Sequence, residues 1–155
     1  MNLETTRDPS VAMLLTLHHR RLDDMLDELE LLADADRWQD ARRGFATFRR
    51  ELEAHIRLEE EMMFPTFETE APMLRGPTMV MRAEHAAIKA SLMEIARELT
   101  EERPISRATA ELEAQLEAHN VKEERVLYPA FERAASASVR AALAVEVEAL
   151  LQGPA

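Results

Sequence analysis

With 155 residues and 46% hydrophobic composition, the chain is long enough for one domain with a real core. A formal net charge of −11 repels phosphate backbones and so excludes nucleic acid as an expected partner, and the lack of any cysteine excludes disulfides, thiolate-held iron–sulfur clusters and covalently attached haem. Ala, Leu, Glu, Arg and Met dominate over three glycines and 5% aromatics, a mixture that favours helices over sheets.

Asp8-Pro9 reads as a helix start, with Asp8 as the N-cap and Pro9 in the first helical position. Leu15, Leu22, Leu26 and Leu29 then keep helical spacing over a helix of about 9–34. Asp36 is expected to cap a second helix over about 37–65, whose buried stripe is Phe45, Phe48, Leu52 and Met62 and which Pro65 should end or kink. The stretch from Ala71 to Pro77 reads as a central loop. A third helix over about 78–102 is closed by Arg103-Pro104. Ser106 should cap a fourth over about 106–130, with Leu112, Leu116 and Val126 inward. Ser138 should cap a short fifth over about 138–152, with Val139, Leu143, Val147 and Leu150 on one face. The fold class is therefore all-α: an up-down-up-down four-helix bundle with a short additional C-terminal helix, residues 1–155 forming one domain. The N-terminus shows no basic stretch followed by an apolar core, and no apolar run approaches the ~20 residues needed to span a bilayer. The expectation is a cytoplasmic protein with no membrane contact and no indicated protein partner.

Within this frame the chain repeats itself. His55, Glu59, Glu60, Phe64, Pro65, Phe67 and Glu68 recur in register as His119, Glu123, Glu124, Tyr128, Pro129, Phe131 and Glu132. Upstream, His19, Leu22, Leu26 and Leu29 match His85, Ile88, Leu92 and Ile95, with His18 falling opposite Glu84. A His and a Glu four apart share one helix face. His55 and Glu59, like His119 and Glu123, fall within the apolar stripe of their helix. An unpaired carboxylate there costs several kcal/mol, and a bound metal neutralises the set at once.

The metal-ligand candidates are thus His19, His55, Glu59, His85, His119 and Glu123, arranged for a pair of bridged metal ions. His18 is the alternative on the first helix, since it and His19 cannot both point directly inward; Glu124 is the alternative on the fourth. Glu60, Glu84 and Glu124 are expected in solvent or holding an imidazole N–H from outside the ligand set. The methionines, including Met25, Met62, Met63, Met79, Met81 and Met93, read as adaptable core filling, and Tyr128, opposite Phe64 in the repeat, as a packing residue.

The helix-1 His19, His55xxxGlu59, Glu84-His85 and His119xxxGlu123 followed by Leu-Tyr-Pro resemble the hemerythrin-like, or HHE cation-binding, family. The resemblance spans almost the whole chain. It implies a four-helix bundle with two non-haem iron ions, bridged by the two carboxylates and held terminally by the histidines, binding O2 or a related ligand such as peroxide or NO. In oxygen-carrying members a second histidine follows the helix-3 ligand by one turn; here that position is Lys89, whose stem is expected along the wall of the site. The resemblance with a reduced ligand set implies sensing, iron handling or a response to oxidative and nitrosative stress. The alternative is a di-iron oxidase or peroxidase acting on ferrous iron or hydrogen peroxide. A ferritin-like centre would need Glu-x-x-His pairs, and the chain has none.

Overall fold

A computed structural model describes residues 9–153, and among them there is helix but no strand. Helix α1 is Val11–Asp34. Helix α2 (38–70) joins Trp38–Leu58, a π-helical turn Glu59–Met63 and Phe64–Glu70. Helix α3 is Arg75–Thr100. Helix α4 (106–134) joins Ser106–Lys122, a second π-helical turn Glu123–Leu127 and Tyr128–Ala134. Helix α5 is Ala137–Leu151. The connections are short, so α1 to α4 alternate in direction, and α1 packs on α2, α2 on α3, α3 on α4 and α4 on α1. Helix α5 lies across α1 and α2, burying Leu143 and Val147. This is the all-α up-down-up-down bundle with an added C-terminal helix. No helix among the described residues is long and apolar enough to cross a membrane.

Several helix ends differ from expectation, each for a local reason. Helix α1 begins later than Pro9: the Ser10 hydroxyl accepts from the Met13 amide at 3.1 Å, and Asp8 lies outside the described residues. Asp36 closes α1 instead of opening α2. It takes φ 57°, and the Arg37 amide reaches back to the Leu32 carbonyl at 2.9 Å, a left-handed helix stop that Asp tolerates. Glu102, at φ 52°, ends α3 the same way. The expected central loop is only a 3-10 turn, Pro72–Leu74. Gly76 and Pro77 fall in the first turn of α3, where a missing N–H is harmless. Ser106 is already helical, because the buried Ile105 takes the capping position. For α5 the cap is Ser136, not Ser138; its hydroxyl accepts from the Val139 amide.

The largest correction concerns the two prolines. Neither Pro65 nor Pro129 ends its helix. In each π-helical turn the ladder widens by one residue, so that the Phe64 amide bonds to the Glu59 carbonyl and the Tyr128 amide to the Glu123 carbonyl. The prolines follow immediately, where the regular ladder is already broken. The Glu60 carbonyl, which Pro65 cannot serve, accepts from the Arg82 guanidinium at 3.3 Å. The extra residue also shifts the inward face by one position. Met63 and Leu127 are buried, whereas Met62 is half-buried and Val126 is 53% exposed. Met79 and Met93, expected in the core, are exposed as well.

The core forms two apolar layers. One contains Leu22, Leu26, Phe48, Leu52, Ile88, Leu92, Leu112 and Leu116. The other contains Leu14, Leu15, Met63, Phe64, Phe67, Met81, Leu127, Tyr128 and Phe131, and is covered by Leu143 and Val147 of α5. On each bundle helix the polar residues of the site fall between these layers.

Candidate metal centre

Helices α1 to α4 each carry a histidine into the plane between the apolar layers. His19, His55, Glu59 and Glu123 form one group in which the ligating atoms all lie within 4.8 Å of one another. Glu59, His85, His119 and Glu123 form a second. All six residues are buried. The two groups share both carboxylates. Glu59 divides its oxygens between them: Oε2 lies 3.5 Å from His55 Nε2 and Oε1 lies 3.3 Å from His85 Nε2. Glu123 Oε1 is 3.3 Å from His19 Nε2 and 3.2 Å from His119 Nε2.

All four imidazoles are oriented the same way, from behind. His85 Nδ1–H donates to Glu60 at 3.1 Å, His119 Nδ1–H to Glu84 at 2.9 Å and His19 Nδ1–H to Glu124 at 3.2 Å. An ionised carboxylate only accepts, so each Nδ1 carries a proton and each Nε2 is the nitrogen turned to the centre, free to bind a metal once it holds no proton of its own. His55 is held by a histidine instead: its Nδ1 lies 2.8 Å from His18 Nδ1. His18 Nε2–H donates to Glu51 at 3.3 Å, which leaves His18 Nδ1 as the acceptor for His55 Nδ1–H. Arg21 closes this chain, donating from Nε to Glu51 at 2.7 Å. The repeat explains the correspondence, for His18 and Glu84 are matched positions and both hold a histidine of the neighbouring helix. His18 is fully buried, but it belongs to neither four-residue group.

The electrostatics fit a missing positive charge. His85 Nε2 and His119 Nε2 face each other at 3.0 Å, two ring nitrogens that only a shared proton or a cation can hold so close. Glu59 Oε1 and Glu123 Oε2 are buried without a hydrogen-bond partner; His85 Nε2 is near the former but not aligned with it. Burial and the neighbouring Glu59 push the Glu123 carboxyl up to about 8. Burial also opposes the charge of Glu59, but the adjacent His55 and hydrogen bonds hold its carboxyl well below the ordinary value, so one of the two keeps a proton. His119 is raised to about 9: burial disfavours its charge, and the carboxylates Glu123, Glu59 and Glu84 outweigh burial. Burial, reinforced by His55, lowers His18 to about 3 and keeps it neutral, consistent with its accepting role. A cation between the facing groups would replace these protons and engage the orphaned oxygens.

Three residues stand apart from the expectations. Lys89 is exposed and lines a surface groove with Glu53, Arg57, Glu60 and Arg82; Ile88 takes the wall position instead. Tyr128 packs against Phe-rich neighbours, but its hydroxyl also enters the first group, donating to Glu59 Oε2 at 2.8 Å. The signal for this was the one hydroxyl that distinguishes Tyr128 from its repeat partner Phe64. Glu51 is a site residue outside the sequence-based expectations: it sits one turn before His55 on the same face and is 6% exposed.

Beside the centre lies a small cavity of about 10 Å³, room for roughly one water-sized molecule, which Tyr128 does not line. Leu22, Leu52, Ile56, Ile88 and Leu116 line it. Asp23 and Asn120 border both this cavity and a surface groove between α1 and α4.

Comparison with known families gives one match: residues 11–131 fit the model of the Hemerythrin HHE cation binding domain. No curated protein and no solved structure matches the chain.

Proposed function

The chain belongs to the hemerythrin HHE cation-binding domain family, and from that premise we propose that it is a cytoplasmic, single-domain non-haem di-iron protein that binds O2 or a related small ligand such as peroxide or NO. Its setting is sensing, iron handling or the response to oxidative and nitrosative stress. His19 and His55 would hold one ion and His85 and His119 the other, with Glu59 and Glu123 common to both. The observation that carries this reading is the sharing of two buried carboxylates by two groups of ligating atoms. When bound, the iron pair supplies reversible electron transfer to the small ligand. The chain supplies the rest: four imidazoles fixed at Nδ1, two carboxylates with free oxygens, and an aliphatic cavity that admits a small molecule and little water.

The test is anaerobic loading with ferrous iron followed by metal analysis. Two ions per chain are expected. A ratio settling at one, or no tight uptake, overturns the dinuclear reading. Sustained turnover of hydrogen peroxide or ferrous iron by the loaded protein would transfer the assignment to an oxidase or peroxidase.

A further inference from the structure

The geometry points to Tyr128 as a fifth protein ligand of the ion held by His19 and His55, which makes the two metal positions chemically unequal. This rests on the di-iron reading above. The Tyr128 oxygen lies 2.8 Å from Glu59 Oε2, 3.0 Å from His19 Nε2, 3.1 Å from Glu123 Oε1 and 3.3 Å from His55 Nε2. Those are the four members of the first ligating group. In an octahedral site with bonds of about 2.1 Å, neighbouring donor atoms are about 3 Å apart. One oxygen at that spacing from four donors occupies the vertex above them. The hydroxyl has a single proton and can satisfy only one of these four atoms.

Among the described residues the second group has no such oxygen. The repeat-related residue is Phe64, whose ring stacks on His85 at 5.7 Å between centroids, with the Arg82 guanidinium over the phenyl ring at 5.3 Å. The repeat thus provides the same aromatic position twice and a donor atom once. Tyr128 reaches the centre from the Phe-rich layer and does not line the cavity. As the ion binds, the phenolic O–H bond breaks, an oxygen–metal bond forms and the proton leaves to solvent. The His85–His119 ion keeps four donors from the chain and is the more open of the two.

The chain contains a single tyrosine, so any tyrosinate signature belongs to Tyr128. The iron-loaded, oxidised protein should show a visible phenolate-to-ferric charge-transfer band. Resonance Raman excitation within it should enhance tyrosine ring modes that shift when the protein is grown with ring-deuterated tyrosine. Tyr128→Phe, which copies the residue at position 64, should abolish band and modes while iron per chain stays at two. Two irons per chain without the tyrosine modes in the native protein would overturn Tyr128 ligation and leave the di-iron reading standing; the hydroxyl would then be a placeholder that withdraws on loading. Failure to take up iron would overturn both. The native-protein Raman result decides the question even if Tyr128→Phe folds poorly.

Discussion

The four histidines at the centre are set by what lies behind them, and one of those supports differs from the other three. Glu60, Glu84 and Glu124 are carboxylates near the surface, whereas His55 leans on the neutral, fully buried His18, which in turn depends on Glu51 and Arg21. Losing such a support typically weakens metal binding 10- to 100-fold, because the imidazole is freed to rotate and its basicity falls. His18→Ala should therefore lower affinity by about that factor without changing the number of ions bound at saturation. His19→Ala, which removes a donor atom, should lower the number itself. Chelator competition followed by metal analysis separates the two effects; loss of an ion in His18→Ala with full retention in His19→Ala would mean that helix α1 ligates one position earlier. The pairing of His18 with Glu84 was legible from the repeat alone. That both serve as supports was not, since a His and a Glu look unlike until their shared task, accepting an imidazole N–H, is seen in three dimensions.

At the scale of the helix, the repeat showed which residues travel together but not how the backbone accommodates them. His55, Glu59 and Phe64 cannot all face one direction on a regular α-helix, since Phe64 lies five residues past Glu59, or about 500° of rotation. The π-helical turn absorbs the surplus residue and brings Phe64 and Tyr128 back inward. The clue in the sequence was an aromatic-Pro pair recurring five and six residues after the glutamate, inside runs that otherwise continue as helix. A proline terminates a regular helix, but here the widened turn has already broken the ladder. This gives a paired prediction. Deleting the exposed Val126 would restore regular winding and leave Pro129 inside an ordinary helix, at a cost of roughly 3 kcal/mol. Adding Pro129→Ala to the deletion should recover most of that loss, while Pro129→Ala alone should change stability far less. Urea denaturation of the three variants measures the coupling, and simple additivity would show that the proline and the wide turn are unrelated.

For the molecule as a whole, the buried site makes the metal-free protein's stability depend on pH in a direction that can be worked out. His119, at about 9 in the folded state against 6.5 ordinarily, contributes stability that is complete below 6.5 and lost as pH rises toward 9. Glu123, at about 8 against 4.5, acts with the same sign: the folded chain keeps a proton that the unfolded chain has released, so its stability falls as pH climbs from 4.5 to 8. On the acid side the buried His18 and His19 work in reverse. Both are lowered by burial, so below 6.5 protonation of the unfolded chain draws the protein apart. The metal-free Tm should therefore be highest close to pH 6.5 and decline in both directions. Bound cations replace the protons on Glu123 and His119, so the alkaline decline should flatten when the protein is loaded, and uptake of metal at neutral pH should release protons. Thermal melts of metal-free and anaerobically loaded protein across pH 6.5 to 9, with a pH-indicator titration of metal uptake, check both halves. A metal-free Tm that rises over that interval would show that the two carboxylates do not share a proton, and that the centre is held in balance by charges outside it.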